Sequence, residues 1–173
     1  KDPFALRRAA QGVVRILAEG QVNMPVPAEG ELGGFFRDRV EYYFREVRKF
    51  PYDEVRAAMA TGFADLKDLA ARLEALRAVR PTPNFEPLAA SFKRIQNILK
   101  QAQFASRGEA DETLLEAGPE RELYDEFSAR RATVKSLGRN YREALETIAS
   151  LRPAVDLFFD KILVNAPDPK VRE

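Results

Sequence analysis

Apolar residues recur at steps of three and four along nearly the whole chain, and proline or glycine interrupts them at short intervals. Asp2 and Pro3 form a helix-start pair, after which Phe4, Leu6, Ala10, Val13, Val14 and Leu17 keep helical spacing up to Gly20. Gly12, in mid-helix, predicts a neighbour packed closely against it. Residues 21–34, with Pro25, Pro27, Gly30, Gly33 and Gly34, read as a loop. A second helix is predicted from about Leu32 to Phe50, with Leu32, Phe36, Val40, Tyr43, Val47 and Phe50 on its apolar face, widened by Phe35 and Phe44. After Pro51, Asp53 is expected to cap a short helix through Ala60 that Thr61-Gly62 ends. A fourth helix, about Ala64 to Val79, carries Leu66, Leu69, Leu73 and Leu76.

Beyond Pro81 and Pro83, Asn84 is predicted to cap a fifth helix ending near Gly108, followed by a short acidic connection to Pro119. Three more helices are predicted. One runs from about Glu120 to Leu137 on Leu123, Phe127, Ala132 and Val134. The next runs from about Asn140 to Leu151 on Tyr141, Leu145, Ile148 and Leu151. The last starts after Arg152-Pro153, uses Val155, Phe158, Phe159 and Ile162, and frays at Ala166-Pro167. No stretch alternates with a period of two. The expected fold is an all-α helical bundle of about seven to eight helices without a sheet. Residues 1–173 read as one domain whose best internal seam is the proline pair near 80–84.

Composition sharpens this picture mainly by exclusion. Of 173 residues, 45% are hydrophobic and 32% charged, the balance of a patterned globular chain. It contains neither cysteine nor histidine, which removes thiol chemistry, the commonest general base and the commonest transition-metal ligand. The net charge of +1 says nothing about partners, but its distribution does. Residues 109–126 are acidic with Arg121 as the only base, whereas Arg130 to Arg142 holds five basic residues and no acid. No run approaches the ~20 apolar residues that cross a bilayer. The opening KDPFALRR has no initiator Met or leader, and the chain reads as a piece of a longer protein.

Candidate chemistry centres on SFKRIQNILKQAQ, residues 91–103. Phe92, Ile95, Ile98, Leu99 and Ala102 form a stripe expected to be core, while Lys93, Arg94, Asn97, Lys100 and Gln101 fall outside it. No acid interrupts from Lys93 to Arg107. Such a face either contacts phosphates and base edges or is an ordinary solvated surface. A second cluster interleaves Phe35, Phe36, Tyr42, Tyr43, Phe44, Phe50 and Tyr52 with Arg37, Arg39, Arg45, Arg48 and Lys49. Bases stack on aromatics where arginines hold phosphates, but most of these rings lie on the core-facing stripe, with Tyr42 and Tyr52 the expected exposed exceptions. Phosphate-loop and dinucleotide motifs are absent, and Gly33-Gly34 is a weak anion site. The adjacent acids Asp53-Glu54, Asp111-Glu112 and Asp125-Glu126 read as solvated charge. The expectation is no catalytic residue, no metal and no cofactor in this chain.

Four strings then matter more than periodicity: DPFALRRAAQGVVRIL, FFRDRVEYYFRE, FKRIQNILKQA and LRPAVDLFFDKILVNAPDPKVR. In this order they closely resemble the C-terminal region of the β subunit of bacterial heterotetrameric glycyl-tRNA synthetase, and the last resembles the DALR-like anticodon-binding module shared with arginyl-tRNA synthetases. The resemblance covers nearly the whole chain, with Asn165 and Pro167 as local departures. It implies an all-helical domain that recognises the anticodon arm of glycine tRNA, with the site for glycine and ATP on a separate α subunit. The implied partners are tRNA-Gly, that α subunit and the remaining β-subunit domains, in the cytoplasm and away from membranes.

The expected interface uses Lys93, Arg94 and Lys100 on phosphates and Asn97 and Gln101 on bases. Arg37, Arg45, Arg130, Arg131 and Arg139 are second-line phosphate contacts. Two alternatives stand beside this reading. One is a helical scaffold that docks protein domains and no RNA; the other is the equivalent module of an arginyl-tRNA synthetase.

Overall fold

The computed structural model describes residues 3–101, 103 and 110–162. All regular structure among them is helical: α1 (Pro3–Glu19), α2 (Gly30–Tyr42) with a π-helical end (Tyr43–Val47), α3 (Tyr52–Ala60), α4 (Leu66–Val79), α5 (Phe85–Gln101), a 3₁₀ turn (Glu112–Leu114), α6 (Pro119–Ser136), α7 (Tyr141–Ala149) and α8 (Arg152–Lys161). The expected all-α class is what is observed. The chain divides into two compact units between Ala78 and Val79, at the last residue of α4.

The first unit holds the main core, in which Val14 and Leu17 of α1, Val40, Tyr43 and Phe44 of α2 and its π end, Val55 and Met59 of α3, and Leu66, Leu69 and Leu73 of α4 are all buried. Between α1 and α2 the chain has no regular structure, and buried Val26 donates its N–H to the Ala64 carbonyl at 2.9 Å. Gly33 must lack a side chain, because a Cβ there would stand 2.4 Å from the Ala28 carbonyl carbon.

The second predicted helix departs from regularity. At Tyr43 the ladder widens, with the Arg48 N–H reaching the Tyr43 carbonyl five residues back at 3.0 Å. A wider turn advances each residue through less than the α-helix's angle of about 100°. Val47, placed on the core face by the three-four pattern, therefore lags behind it and is exposed, whereas Phe44 is completely enclosed. Phe50 is buried as expected, but from outside the helix: its N–H meets the Phe44 carbonyl at 3.0 Å after the chain reverses through Lys49, whose φ is +59°. Leu32, in the first turn of α2, is also exposed. Likewise, α3 begins one residue before Asp53, with Pro51 at its N-cap and no side-chain cap bond, so Asp53 lies within the first turn.

Polar side chains tie this unit together. The Tyr43 hydroxyl donates to Glu19 Oε1 at 2.8 Å, and Arg15 Nε donates to Glu19 Oε2 at 3.0 Å. Arg48 pairs with Glu74 at 2.9 Å. Arg77 donates to the carbonyls of Arg48 and Lys49 while its guanidinium lies 3.7 Å from the centre of the Phe50 ring. From α4, Arg72 pairs with Asp68 and donates to the Ala58 carbonyl, to Thr61 Oγ1 and to the Gly62 carbonyl, covering the C-terminal end of α3.

The bond from Tyr43, reinforced by Arg15, holds the Glu19 carboxyl below its ordinary value. A depressed folded value means stability that is present above the unfolded value of 4.5 and lost as pH falls through the folded one. Glu19→Gln is therefore expected to be less stable than the parent at pH 7, and the gap should close as the pH drops below 4.5. Urea titrations at a series of pH values check this; a gap that persists at pH 3 would contradict it.

In the second unit α8 packs against α5 and α6, and α6 packs against α7. Leu88 of α5, Ala149 at the end of α7, Leu151, and Val155 of α8 are buried. Asn140 caps α7, accepting from the Glu143 N–H, and its side-chain amide donates to the Glu143 carboxylate at 2.6 Å. Asn84 stands directly before α5 and its Oδ1 accepts from Arg152 at 3.4 Å. The expected core stripe of α5 is only partly realised. Ile95 and Ile98 are half-buried, while Phe92 and Leu99 are 48% and 41% exposed, because α8 covers one edge of the stripe and leaves the other to solvent. Ala102, the predicted end of α5 near Gly108 and the predicted fraying at Ala166-Pro167 lie outside the described residues.

Candidate nucleic-acid interface

Helix α5 sorts its residues cleanly. Lys93, Asn97, Lys100 and Gln101 are exposed and, at 3.6 residues per turn, share roughly a third of the circumference, opposite the edge where Leu88 is buried. Lys93 and Lys100 stand about 10 Å apart along the axis, from seven residues at ~1.5 Å each. Asn97 lies between them, bringing amide donors and an acceptor between two cations.

Arg94, at the margin of this face, behaves differently. Its guanidinium lies 4.1 Å from the centre of the Phe159 ring of α8. This cation–π contact anchors α5 on α8 and limits how far the arginine reaches outward. No sequence pattern pairs two residues so far apart in the chain, so spacing alone does not reveal this contact.

Four acids of 111–126, Asp111, Glu112, Glu120 and Glu126, are engaged locally among the described residues. Glu112 accepts from the Tyr124 hydroxyl at 2.7 Å and pairs with Arg121 at 3.8 Å; Glu120 accepts from the Glu116 N–H at 2.7 Å; Glu126 pairs with Arg130. Asp111 caps the 3₁₀ turn through Thr113, which holds its carboxyl below the ordinary value. Among the described residues neither Lys93 nor Lys100 forms an ion pair with them.

The second-line arginines are scattered. Arg130 is engaged by Glu126 and by Ser150 Oγ at 2.7 Å, so its charge is largely spent. Arg131 on α6 and Arg139 in the α6–α7 turn are exposed. Arg37 and Arg45 belong to the first unit, where Arg37 lies 4.8 Å from the Phe63 ring and Arg45 pairs with Glu41 at 3.2 Å. Tyr42 and Tyr52 are exposed as expected. The Tyr52 ring is nonetheless taken, with Arg45 at 4.7 Å and Arg56 at 5.4 Å from its centre and the Arg56 guanidinium donating to its hydroxyl. The Tyr52–Arg56 pair, four apart on α3, was readable from spacing.

Among the described residues no group of acidic side chains is arranged to hold a metal, and no helix is long and apolar enough to cross a membrane. Fold and face together define a helical module that presents a cationic, amide-bearing surface. No family model matches the chain. Its homologues are glycine–tRNA ligase β subunits. It is 40% identical over 198 residues to that of Acidobacterium capsulatum, an alignment covering 99% of this chain and 28% of the relative. Identity is 36% over 198 residues for Desulfatibacillum aliphaticivorans and 36% over 201 residues for Myxococcus xanthus, again with 28% of the relative covered. The chain spans just over a quarter of the length of these curated relatives.

Proposed function

We propose that this chain is the C-terminal, DALR-like segment of a glycyl-tRNA synthetase β subunit and that it holds the anticodon arm of tRNA-Gly. ATP-dependent glycylation then takes place at the α subunit, in the cytoplasm, and this segment contributes position without chemistry. The observation that carries the reading is the α5 face, where two cations not neutralised by the nearby acids flank an amide. The lysines supply phosphate contacts and the amides of Asn97 and Gln101 supply base-edge donors and acceptors. The relatives support a glycyl over an arginyl enzyme. Among the described residues Lys93 and Lys100 form no ion pair with the acids of 111–126, which favours RNA binding over a scaffold whose cationic face is already spent.

A titration with the labelled tRNA-Gly anticodon stem-loop tests this. Binding is expected, with log K falling linearly against log salt by about 0.7–0.9 per phosphate contacted. Stem-loops carrying other anticodons should compete at least about tenfold less well, the discrimination of one good base contact. Absence of binding at low salt would leave the scaffold reading standing.

A further inference from the structure

Helix α1 is apolar on more of its surface than its own unit covers. Arg7, Arg8, Gln11, Arg15 and Glu19 fall within roughly one third of its circumference. Ala10, Val14 and Leu17 occupy a second arc and are buried. The remaining arc holds Ala5, Leu6, Ala9, Gly12, Val13 and Ile16, without a charge, and every one is exposed, Leu6 to 63% and Ile16 to 58%. A helix apolar on two sides and polar on one is built to be covered twice. Gly12 adds an independent sign. A helical glycine costs up to about 1 kcal/mol against alanine, and nothing described stands within 4 Å of the position its Cβ would take. The expected close neighbour is therefore absent from this unit, and the small residue leaves room for one that comes from elsewhere.

We infer that this arc of α1 is an intrachain docking face, covered by an apolar helix from the part of the β-subunit polypeptide that lies outside this segment. This rests on the β-subunit reading proposed above. Two observations select that occupant. Some 28% of each relative corresponds to this chain, so most of the polypeptide is available to cover it. The arc also lacks the charged groups that mark surfaces exposed between encounters with a separate partner, and matches the apolar character of a permanent interface.

The test uses the full-length β subunit and maleimide labelling of single cysteines on two arcs of the same helix, Ile16→Cys and Val13→Cys on the apolar arc and Gln11→Cys on the polar one, quantified on the α1 peptide by mass spectrometry. With the β subunit alone and dilute, Ile16→Cys and Val13→Cys are expected to react at least about tenfold more slowly than Gln11→Cys, as a packed face must open locally to be reached. Equal rates on the two arcs would overturn the inference. So would protection that appears only when the α subunit is added, or that grows with protein concentration, because the occupant would then be a separate subunit or a second copy. Glycylation by the same preparations with the α subunit is a separate readout. Its failure in the unsubstituted protein would sink the β-subunit reading whatever the labelling ratio.

Discussion

Phe44→Ala is expected to remove about 3–5 kcal/mol of stability, the usual cost of emptying a fully buried aromatic site. Phe44 is completely enclosed, edge-on to Tyr43 at 5.1 Å and tilted against Phe50 at 6.2 Å. Two neighbouring rings lose a partner with it, and aromatic pairs contribute about 0.5–1.5 kcal/mol beyond their buried area. Against a typical total of about 5–15 kcal/mol, that loss is a large share of the stability. Urea unfolding followed by far-UV circular dichroism measures it. Val47→Ala is the internal control: the three-four pattern puts Val47 in the same core, whereas the π-turn puts it outside, so its effect should stay within about 0.5 kcal/mol. Comparable losses from both substitutions would mean that the turn is an ordinary α-helical one.

The double substitution Lys93→Ala, Lys100→Ala is expected to weaken binding of the tRNA-Gly stem-loop by about ten- to a hundredfold near physiological salt, at about 1.4 kcal/mol per factor of ten. It should also reduce the slope of log K against log salt by about 1.4–1.8. Both lysines are exposed and make no ion pair among the described residues, so helicity and unfolding midpoint should not change. Asn97→Ala should do something different in kind: a smaller loss, concentrated on the cognate stem-loop, because base contacts carry specificity and phosphate contacts do not. Arg94→Ala is expected to affect stability as well, through its contact with Phe159. If the double variant keeps both affinity and salt slope, this face is not where RNA binds.

Most helix positions were legible because their signals are local. Gly20 follows the end of α1, Thr61-Gly62 ends α3, Arg152-Pro153 opens α8, and Asn140 with Glu143 caps α7. The cationic face of α5 was legible for the same reason, since an acid-free run on one side of a helix is a property of spacing alone. What escaped was anything set by distant parts of the chain. The π-turn at Tyr43 depends on tertiary packing that no apolar count contains, and it puts Val47 outside while Phe44, expected only to widen the apolar face, is completely enclosed. The exposure of Phe92 and Leu99 depends on how much of α5 is covered by α8, and the engagement of Arg94 depends on where Phe159 falls. Gly12 shows the limit in another way: the residue was conspicuous, but only coordinates reveal that the space beside it is open.

The reach of Arg72 across to the end of α3 has a consequence for how the first unit comes apart. Terminal helix carbonyls are ordinarily answered by neighbours in sequence, so each helix end forms and frays by itself. Here the Ala58 carbonyl, besides its local bond from the Thr61 hydroxyl, and the Gly62 carbonyl just past the helix take donors from a side chain one helix later, held in turn by Asp68. The last turn of α3 and the middle of α4 thus open as one cooperative element. Native-state hydrogen exchange should find the amides at the end of α3 and those around Arg72 sharing one opening free energy, and Arg72→Ala should split them into two.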